Sequence, residues 1–287
     1  MEKKELKKYS VKTKFFRAIT YGVLVLLALI CIVPFYNMII NCTHDNAALA
    51  TSFQMTPGKS LKTNYQHLAA NVNIWRGLFN SLFISLASTV ITVYVGALTA
   101  YGFAKYKFKY NKQLFWLVLA TMMLPGQLGI IGYFQLMNNI HMLDNYAALL
   151  ITCFAPPAMV FWNRQYIDSY VPDELIESAR IDGCGEFRIF NEIIFPIIMP
   201  GVATQAIFTF VESWNAFVKP SILLFSQDKF TLPILVQQMQ GVYKNDYGTV
   251  YIGVALSVIP ILIMFVLCSR RILLWRTAPI RVPASSM

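Results

Sequence analysis

The chain has 287 residues, of which 56% are hydrophobic and only 13% are charged, and its net charge is +10. This composition lies outside the range of ordinary soluble domains. A helix crosses the hydrocarbon core of a bilayer with roughly 20 mainly apolar residues. Apolar stretches of that length recur along the sequence with charged segments between them, so we predict an all-α membrane protein with about six transmembrane helices.

The predicted spans alternate with short polar loops. They cover residues 18–40, 77–102, 113–137, 146–163, 197–225 and 250–268. The first and last spans are nearly uniform apolar runs, whereas the middle ones contain polar residues. Because polar groups inside a membrane usually face other helices or a water-filled path, this pattern is typical of a transporter.

The distribution of Lys and Arg predicts the orientation. Eighteen of the 24 basic residues fall in the N-terminal segment, the loops after the second and fourth spans, and the tail, and six fall on the opposite side. Since short positively charged loops are retained in the cytoplasm, residues 1–17 and 269–287 are predicted to be cytoplasmic, with a permease domain of residues 18–268 in a plasma or inner membrane. Topology therefore accounts for the net charge, and we predict no nucleic-acid partner.

Few residues suggest catalysis or cofactor binding. Gly58-Lys59-Ser60 is a partial match to a phosphate-binding loop, but Phe53 stands where that motif needs glycine, and the site is on the predicted outer side. The histidines at positions 44, 67 and 141 lack a second ligand at helical spacing. We therefore predict no catalytic, cofactor-binding or metal-binding residues on this chain, and any nucleotide would have to be bound by a separate subunit.

The loop of residues 164–195, called the 164–195 loop below, is the longest on the predicted cytoplasmic side. Pro172 and the acidic residues after it favour a helix start, and Gly183 favours a stop. The pattern between them indicates an amphipathic helix of about ten residues, which is marginal unless it docks on its own membrane domain or on a partner. A second segment from Glu186 to Ile194 repeats the pattern, and Pro196 is predicted to open the next span.

This loop carries a recognisable motif. Glu177-Ser178-Ala179, then Asp182-Gly183, then Ile193-Ile194-Phe195-Pro196 closely resembles the signature loop of permeases of ATP-binding cassette (ABC) importers. Ser178 and Phe195 are mild departures from the usual Ala and Leu. The wider stretch of residues 75–270 is similar to the maltose-type carbohydrate uptake branch, whereas the tail after Arg271 departs from the Gly-rich ending of that branch.

The resemblance implies the type I ABC importer permease fold and the function of a pore subunit, not an enzyme, that translocates a sugar or oligosaccharide. It implies four kinds of partner besides membrane lipid: a second homologous permease, a dimeric ABC ATPase that binds ATP and Mg²⁺, an extracytoplasmic solute-binding protein, which residues 226–249 would meet, and the sugar. The 164–195 loop would be the coupling loop that contacts the ATPase. Its coupling residues would be Glu177, Ser178, Ala179, Asp182, Gly183 and Pro196.

The fifth span is the main candidate for substrate contact. Phe208, Glu212 and Asn215 fall at i, i+4 and i+7 and thus share one helical face. Aromatic, amide and acid groups suit sugars, which offer hydroxyl groups and apolar ring faces. The whole candidate path comprises Asn80, Gln127, Gln135, Phe208, Glu212, Trp214 and Asn215. An alternative is that Trp214 and Asn215 only pack against the partner permease.

Three other functions remain open at this stage. The same architecture would serve an ABC permease for another solute, such as an amino acid or phosphate. A secondary transporter would need no ATPase, but it would be expected to show an inverted repeat, and none is apparent. A noncatalytic membrane scaffold is the third alternative.

Overall fold

The computed structural model describes residues 2–242 and 246–276, with side chains for residues 14–239 and 246–267. The chain divides into two compact units, Met1–Val72 with Gln238–Leu256, and Asn73–Gln237 with Ser257–Met287. Tyr243, Lys244 and the tail after Arg276, on which part of the sequence interpretation rests, lie outside the described residues.

The described residues are almost entirely helical, as predicted. The first half of the chain contains α1 (Glu2–Asn41), α2 (Asn46–Thr51), α3 (Leu61–Asn71), α4 (Ile74–Lys105), α5 (Asn111–Met122), α6 (Ile130–Asn139) and α7 (Tyr146–Leu150). The second half contains α8 (Pro157–Tyr170), α9 (Asp173–Ile181), α10 (Glu186–Ile189), α11 (Phe195–Trp214), α12 (Val218–Leu223), α13 (Leu232–Val242) and α14 (Tyr247–Arg276).

The first, second and sixth predicted spans correspond to the continuous helices α1, α4 and α14. Among the described residues, five helical stretches are long and apolar enough to cross a membrane: Lys14–Asn41, Ile74–Lys105, Tyr146–Tyr170, Glu186–Trp214 and Tyr247–Leu267. A sixth span is obtained if α5 and the stretch Gly126–Asn139 are counted together. The prediction of an all-α protein with about six transmembrane helices is therefore confirmed.

Three predicted spans differ from the structure in shape. The fourth, predicted over 146–163, consists of α7, a 3-10 turn at Ile151–Phe154 and α8, which extends to Tyr170. The third, predicted as one helix over 113–137, is bent by 90° between Met122 and Gly126, where Pro125 disfavours helical geometry at the residue before it. The fifth, predicted to reach residue 225, ends at Trp214, and the separate α12 follows at Val218. Trp214 is held there by its indole N–H, which donates to the Ser257 carbonyl at 3.0 Å.

The second half of the 164–195 loop also differs from the prediction. Residues 186–194 do not form a separate surface helix, because α10 continues through a π-helical turn, Phe190–Ile194, directly into α11. Pro196 lies in the first turn of α11, where its missing N–H is least costly. The loop is therefore joined to the fifth span by unbroken helical backbone.

The main core of the second unit lies where α4 packs against α8 and α11. Buried Ala97 and Ala100 of α4 meet Val160 and Ile167 of α8 and Ile198 of α11. A Cβ atom on Gly96 would overlap the Met159 side chain, so this glycine permits α4 and α8 to approach closely. Because α4 contacts both neighbouring spans, it is the central helix of this unit.

The first unit is held by polar contacts near the end of α1. Asn64 of α3 is buried and donates from Nδ2 to the Cys42 carbonyl at 2.9 Å and to the His44 carbonyl at 2.8 Å. Its own carbonyl accepts from the Thr249 hydroxyl of α14. Most apolar side chains along α1 from Phe15 to Ile39 are exposed within the chain, as expected for a helix whose surface faces lipid or another subunit.

Candidate functional site

The 164–195 loop forms a helix, a turn and a second helix. Pro172 precedes α9, and Asp173 and Glu174 occupy its first turn, where negative charge is favoured. The helix has nine residues, close to the predicted length. Gly183 ends it with a φ of +79°, a left-handed conformation that side-chain-bearing residues rarely adopt. The sequence prediction of a helix stop and bend at Gly183 is therefore confirmed.

One face of α9 is buried and the other is exposed. Ile176 and Ala179 pack into the core with 2% and 6% of their surface exposed, whereas Glu177, Ser178 and Asp182 are exposed. Ile181 is 85% exposed, so the exposed end of α9 presents one large apolar side chain. The five loop residues predicted for coupling thus divide into one buried anchor, Ala179, and an exposed end, while Pro196 lies partly buried in α11.

The loop is attached to the last turns of α4 at two places. Lys105 donates from Nζ to the Val171 carbonyl at 2.7 Å and to Asp173 Oδ1 at 2.6 Å. Tyr101 donates from its hydroxyl to Glu186 Oε2 at 2.7 Å. The Lys105 ammonium lowers the pKa of Asp173 below its ordinary value, since it donates to the ionised carboxylate.

A further contact closes the turn around Gly183. Arg180 donates from Nε to Glu186 Oε1 at 2.6 Å, and its guanidinium lies 5.6 Å from the ring centre of Tyr106. Glu186 therefore receives one hydrogen bond from the loop and one from α4. Tyr101, Lys105 and Glu186 were not predicted from the sequence as site residues, because Lys105 was interpreted only as a topological charge.

The candidate substrate residues fall into two groups. Gln127, Gln135, Phe208, Glu212 and Asn215 are exposed within the single chain. Asn80 and Trp214 are instead 3% and 1% exposed, and both have backbone partners within the chain. Phe208, Glu212 and Asn215 lie on α11 or at its C-cap, and the common role of all five exposed residues stays a prediction.

Asn80 lies near the other end of α4 and supports the segment between α12 and α13, residues 224–231, called the 224–231 segment below. Its Nδ2 donates to the Asp228 carbonyl at 2.8 Å and to the Phe230 carbonyl at 3.0 Å. The neighbouring Ser81 hydroxyl accepts from the Leu232 N–H at 2.8 Å. Both amide donors of Asn80 are thus engaged with backbone.

A buried amide pair joins α8 to α11. Gln205 donates from Nε2 to Asn163 Oδ1 at 3.2 Å, and Asn163 is completely buried. Asn163 was not singled out from the sequence. Gln205, however, precedes Phe208, Glu212 and Asn215 by 3, 7 and 10 positions, so helical spacing was a signal for its place beside them.

The partial phosphate-binding sequence does not form a phosphate-binding loop. Gly58 follows α2 and an irregular stretch, and its N–H donates to the Thr43 hydroxyl at 2.7 Å. The Ser60 N–H donates to the Thr43 carbonyl at 2.7 Å. Because both N–H groups are engaged within the chain, they do not form the open cradle that a phosphate needs. Within the described residues, no cluster of three or more metal-ligating side chains occurs.

Comparison with known proteins identifies the family to which this chain is similar. The family described as "Binding-protein-dependent transport system inner membrane component" matches residues 92–272. The arabinooligosaccharide transport system permease AraQ of Bacillus subtilis is 32% identical and aligns over 84% of this chain and 86% of its own. The lactose transport system permease LacG of Rhizobium radiobacter is 30% identical, over 88% and 92% of the two chains.

A solved structure shares the fold. A chain of a bacterial ABC transporter involved in the import of the acidic polysaccharide alginate matches with a TM-score of 0.77 and 19% identity, over 90% of this chain and 96% of that chain. At this identity the likeness shows a shared fold.

Proposed function

The chain belongs to the family of binding-protein-dependent transport system inner membrane components, and we propose that it forms half of the pore of an ATP-driven importer for a sugar or oligosaccharide. As a multi-pass membrane permease, it would pair with a second homologous permease. A dimeric ABC ATPase would bind ATP and Mg²⁺, and an extracytoplasmic binding protein would deliver the sugar.

The exposed end of α9 carries the proposal. A nine-residue helix is marginal alone, and here its buried face anchors it while Glu177, Asp182 and Ile181 remain uncovered. An apolar side chain flanked by carboxylates suits a groove with an apolar floor and a basic rim. This is the surface that we assign to the ATPase, with Glu177 as the charged contact.

The assignment is tested by Glu177→Ala in the native complex. Removing one partner of a desolvated charge pair typically costs roughly 2 to 5 kcal/mol, whereas losing a solvated surface charge costs under about 1. We expect normal membrane expression, and we expect the ATPase to dissociate during purification. The matched control is Glu192→Ala, which removes an exposed carboxylate from the same loop. Wild-type complex yield and uptake in Glu177→Ala would contradict the assignment.

The sugar class rests on the relatives, whose names specify arabinooligosaccharides and lactose. The complex reconstituted with its binding protein should take up a labelled arabinooligosaccharide or labelled lactose when ATP is supplied. Uptake of a labelled amino acid or phosphate ester in place of both sugars would favour the alternative of a non-sugar ABC permease. Uptake driven by an ion gradient without ATP would favour a secondary transporter.

We further propose that Gln127, Gln135, Phe208, Glu212 and Asn215 line the sugar path. Their exposure within the single chain supports this role, since polar groups on a membrane helix need water, solute or another protein chain. Phe208→Ala should reduce uptake while leaving the permease pair intact. Loss of the permease pair would instead indicate that this face packs on the partner subunit.

Both termini and the 164–195 loop are proposed to be cytoplasmic. The support is the excess of Lys and Arg on that side in the sequence. An epitope tag at either terminus should be inaccessible to antibody in intact cells and accessible after permeabilisation. Labelling of either tag in intact cells would contradict this topology.

A further inference from the structure

The attachment of the 164–195 loop to α4 has a specific geometry. Tyr101 and Lys105 are four residues apart and therefore lie on one face of α4, one turn from each other. Lys105 binds the backbone and side chain at the start of α9, and Tyr101 binds Glu186 at the start of α10. The two contacts thus reach the loop on opposite sides of the Gly183 turn.

These side chains are held firmly on the α4 side. Tyr101 is 2% exposed, and its ring stacks on buried Phe190 with ring centres 5.8 Å apart. The Lys105 side chain is 8% exposed, whereas its partner Asp173 is 75% exposed. Each contact therefore joins a fixed group of the membrane helix to a group on the loop surface.

Besides these contacts, the loop is joined to the membrane domain by the backbone of α8 and α11, by the packing of α9 and of buried Phe190, and by a hydrogen bond of 3.1 Å from the Tyr94 hydroxyl of α4 to Asn191 Oδ1. Gly183 and the π-helical turn Phe190–Ile194 are two places where such a loop could bend. The Arg180–Glu186 contact closes the turn, and the Tyr101–Glu186 contact fixes the closed turn to α4. A displacement of the loop would then reach α4, and through it α8 and α11.

We propose that Tyr101 and Lys105 are positioning residues for transport: they bind the 164–195 loop to α4, so that a movement imposed on the loop moves the central helix of the permease. The proposal rests on the proposed function, because the movement is the one that the ATPase would impose. The two residues touch neither sugar nor nucleotide, and they act through the loop.

The test uses Tyr101→Phe and Lys105→Met, singly and together, in the complete complex with its ATPase and binding protein in proteoliposomes. Tyr101→Phe removes one oxygen atom and keeps the ring contact, so it should fold normally. The measured quantity is uptake, per ATP hydrolysed, of the labelled sugar that the wild type transports. We expect the double variant to lower it by roughly tenfold, within the range of typical coupling between sites, with each single variant contributing part of that loss.

If the two residues had only a structural role, their replacement would change the Tm or the retention of the ATPase, and not uptake per ATP. Because the side-chain partners Asp173 and Glu186 are at least partly exposed, and the Val171 carbonyl is the single backbone acceptor among these contacts, we expect the Tm of the double variant to shift by less than roughly 4 °C, with the ATPase retained during purification. Glu186→Gln, which keeps an acceptor for Tyr101, should transport better than Glu186→Ala. The matched control is Arg188→Gln, which breaks an exposed ion pair in the same loop and should keep wild-type uptake per ATP.

The outcomes separate this inference from the proposed function. Wild-type uptake per ATP in the double variant would overturn the inference and leave the proposed function intact. Dissociation of the ATPase from the double variant would also overturn it, since the residues would then support docking and not transmission. A wild-type chain that binds no ATPase and shows no ATP-dependent uptake would overturn the proposed function and this inference with it.

Discussion

Helix α4 holds a loop near each end, and the two attachments use different chemistry. Near Lys105, the Lys105 ammonium and the Tyr101 hydroxyl bind the 164–195 loop, and their side-chain partners Asp173 and Glu186 remain at least partly exposed. Near Asn80, a buried amide and the Ser81 hydroxyl bind the backbone of the 224–231 segment. The first attachment consists of two side-chain pairs and one bond to the Val171 carbonyl, whereas the second consists of bonds to backbone groups.

Because of this difference, the two attachments should contribute unequally to transport and to folding stability. Exposed ion pairs contribute about 0 to 1 kcal/mol to folding, whereas a buried carbonyl that loses its donor costs about 1 to 3 kcal/mol. Changes at the 164–195 loop should therefore affect transport more than folding. Changes at the 224–231 segment should affect folding more than transport.

The largest expected effect is at Gly183. In Gly183→Val, a β-branched side chain would have to adopt a φ of +79°, so the turn should change its conformation. We expect normal membrane insertion and loss of nearly all sugar-stimulated ATP hydrolysis and uptake in proteoliposomes.

Gly185→Val is the matched control for Gly183→Val. Gly185 has a φ of −71°, which valine tolerates, and open space lies around its Cβ position. It should therefore retain most activity. Near-normal sugar-stimulated ATP hydrolysis in Gly183→Val would show that the turn geometry is dispensable.

A smaller effect, and one of the opposite kind, is expected at Asn80. Asn80→Leu would leave the Asp228 and Phe230 carbonyls without their donor at a site that is 3% exposed. We expect the Tm of the purified permease to fall by roughly 5 to 10 °C, with uptake per ATP unchanged for the folded fraction.

The control for Asn80→Leu is Asn71→Leu. Asn71 is an exposed amide that donates within its own helix, so its replacement should have little effect on Tm. Equal losses of Tm in the two variants would mean that the buried hydrogen bonds of Asn80 stabilise the fold no more than the exposed hydrogen bond of Asn71 does.

The sequence also predicted the structure near the first attachment better than the structure near the second. The bounds of α9 and the turn at Gly183 follow from local signals, namely a proline, two carboxylates and a glycine at helical spacing. Asn80 was interpreted as a polar residue within a span and as part of the candidate substrate path. Its partners Asp228 and Phe230 are about 150 residues away in sequence, and such long-range pairing leaves no local pattern.

The missed features of the helices have similar causes. Pro125 signalled the 90° bend of the third span, but the apolar run on both sides indicated one continuous helix. No glycine or proline marks the end of α11 at Trp214, where a contact with Ser257 holds the indole. The continuity from α10 to α11 was missed because Pro196 was interpreted as a break, although proline is tolerated in a first helical turn.

The smallest expected effect concerns Asp144, a carboxylate that binds the 224–231 segment. Burial alone would raise the pKa of Asp144, but hydrogen bonds from the Ser226 hydroxyl and N–H, the Lys229 ammonium and the Phe225 N–H outweigh burial and lower it below its ordinary value of 3.8. A lowered folded-state pKa means that the ionised carboxylate stabilises the fold above about pH 4 and that this contribution is lost as the pH falls further.

Asp144→Asn should therefore lower Tm by roughly 2 to 4 °C at pH 7. Its Tm should also decline less steeply than that of the wild type below pH 4. Parallel Tm curves for the two proteins from pH 7 to pH 3 would show that the ionisation of Asp144 does not stabilise this end of the permease, and the 224–231 segment would then depend on Asn80 and Ser81.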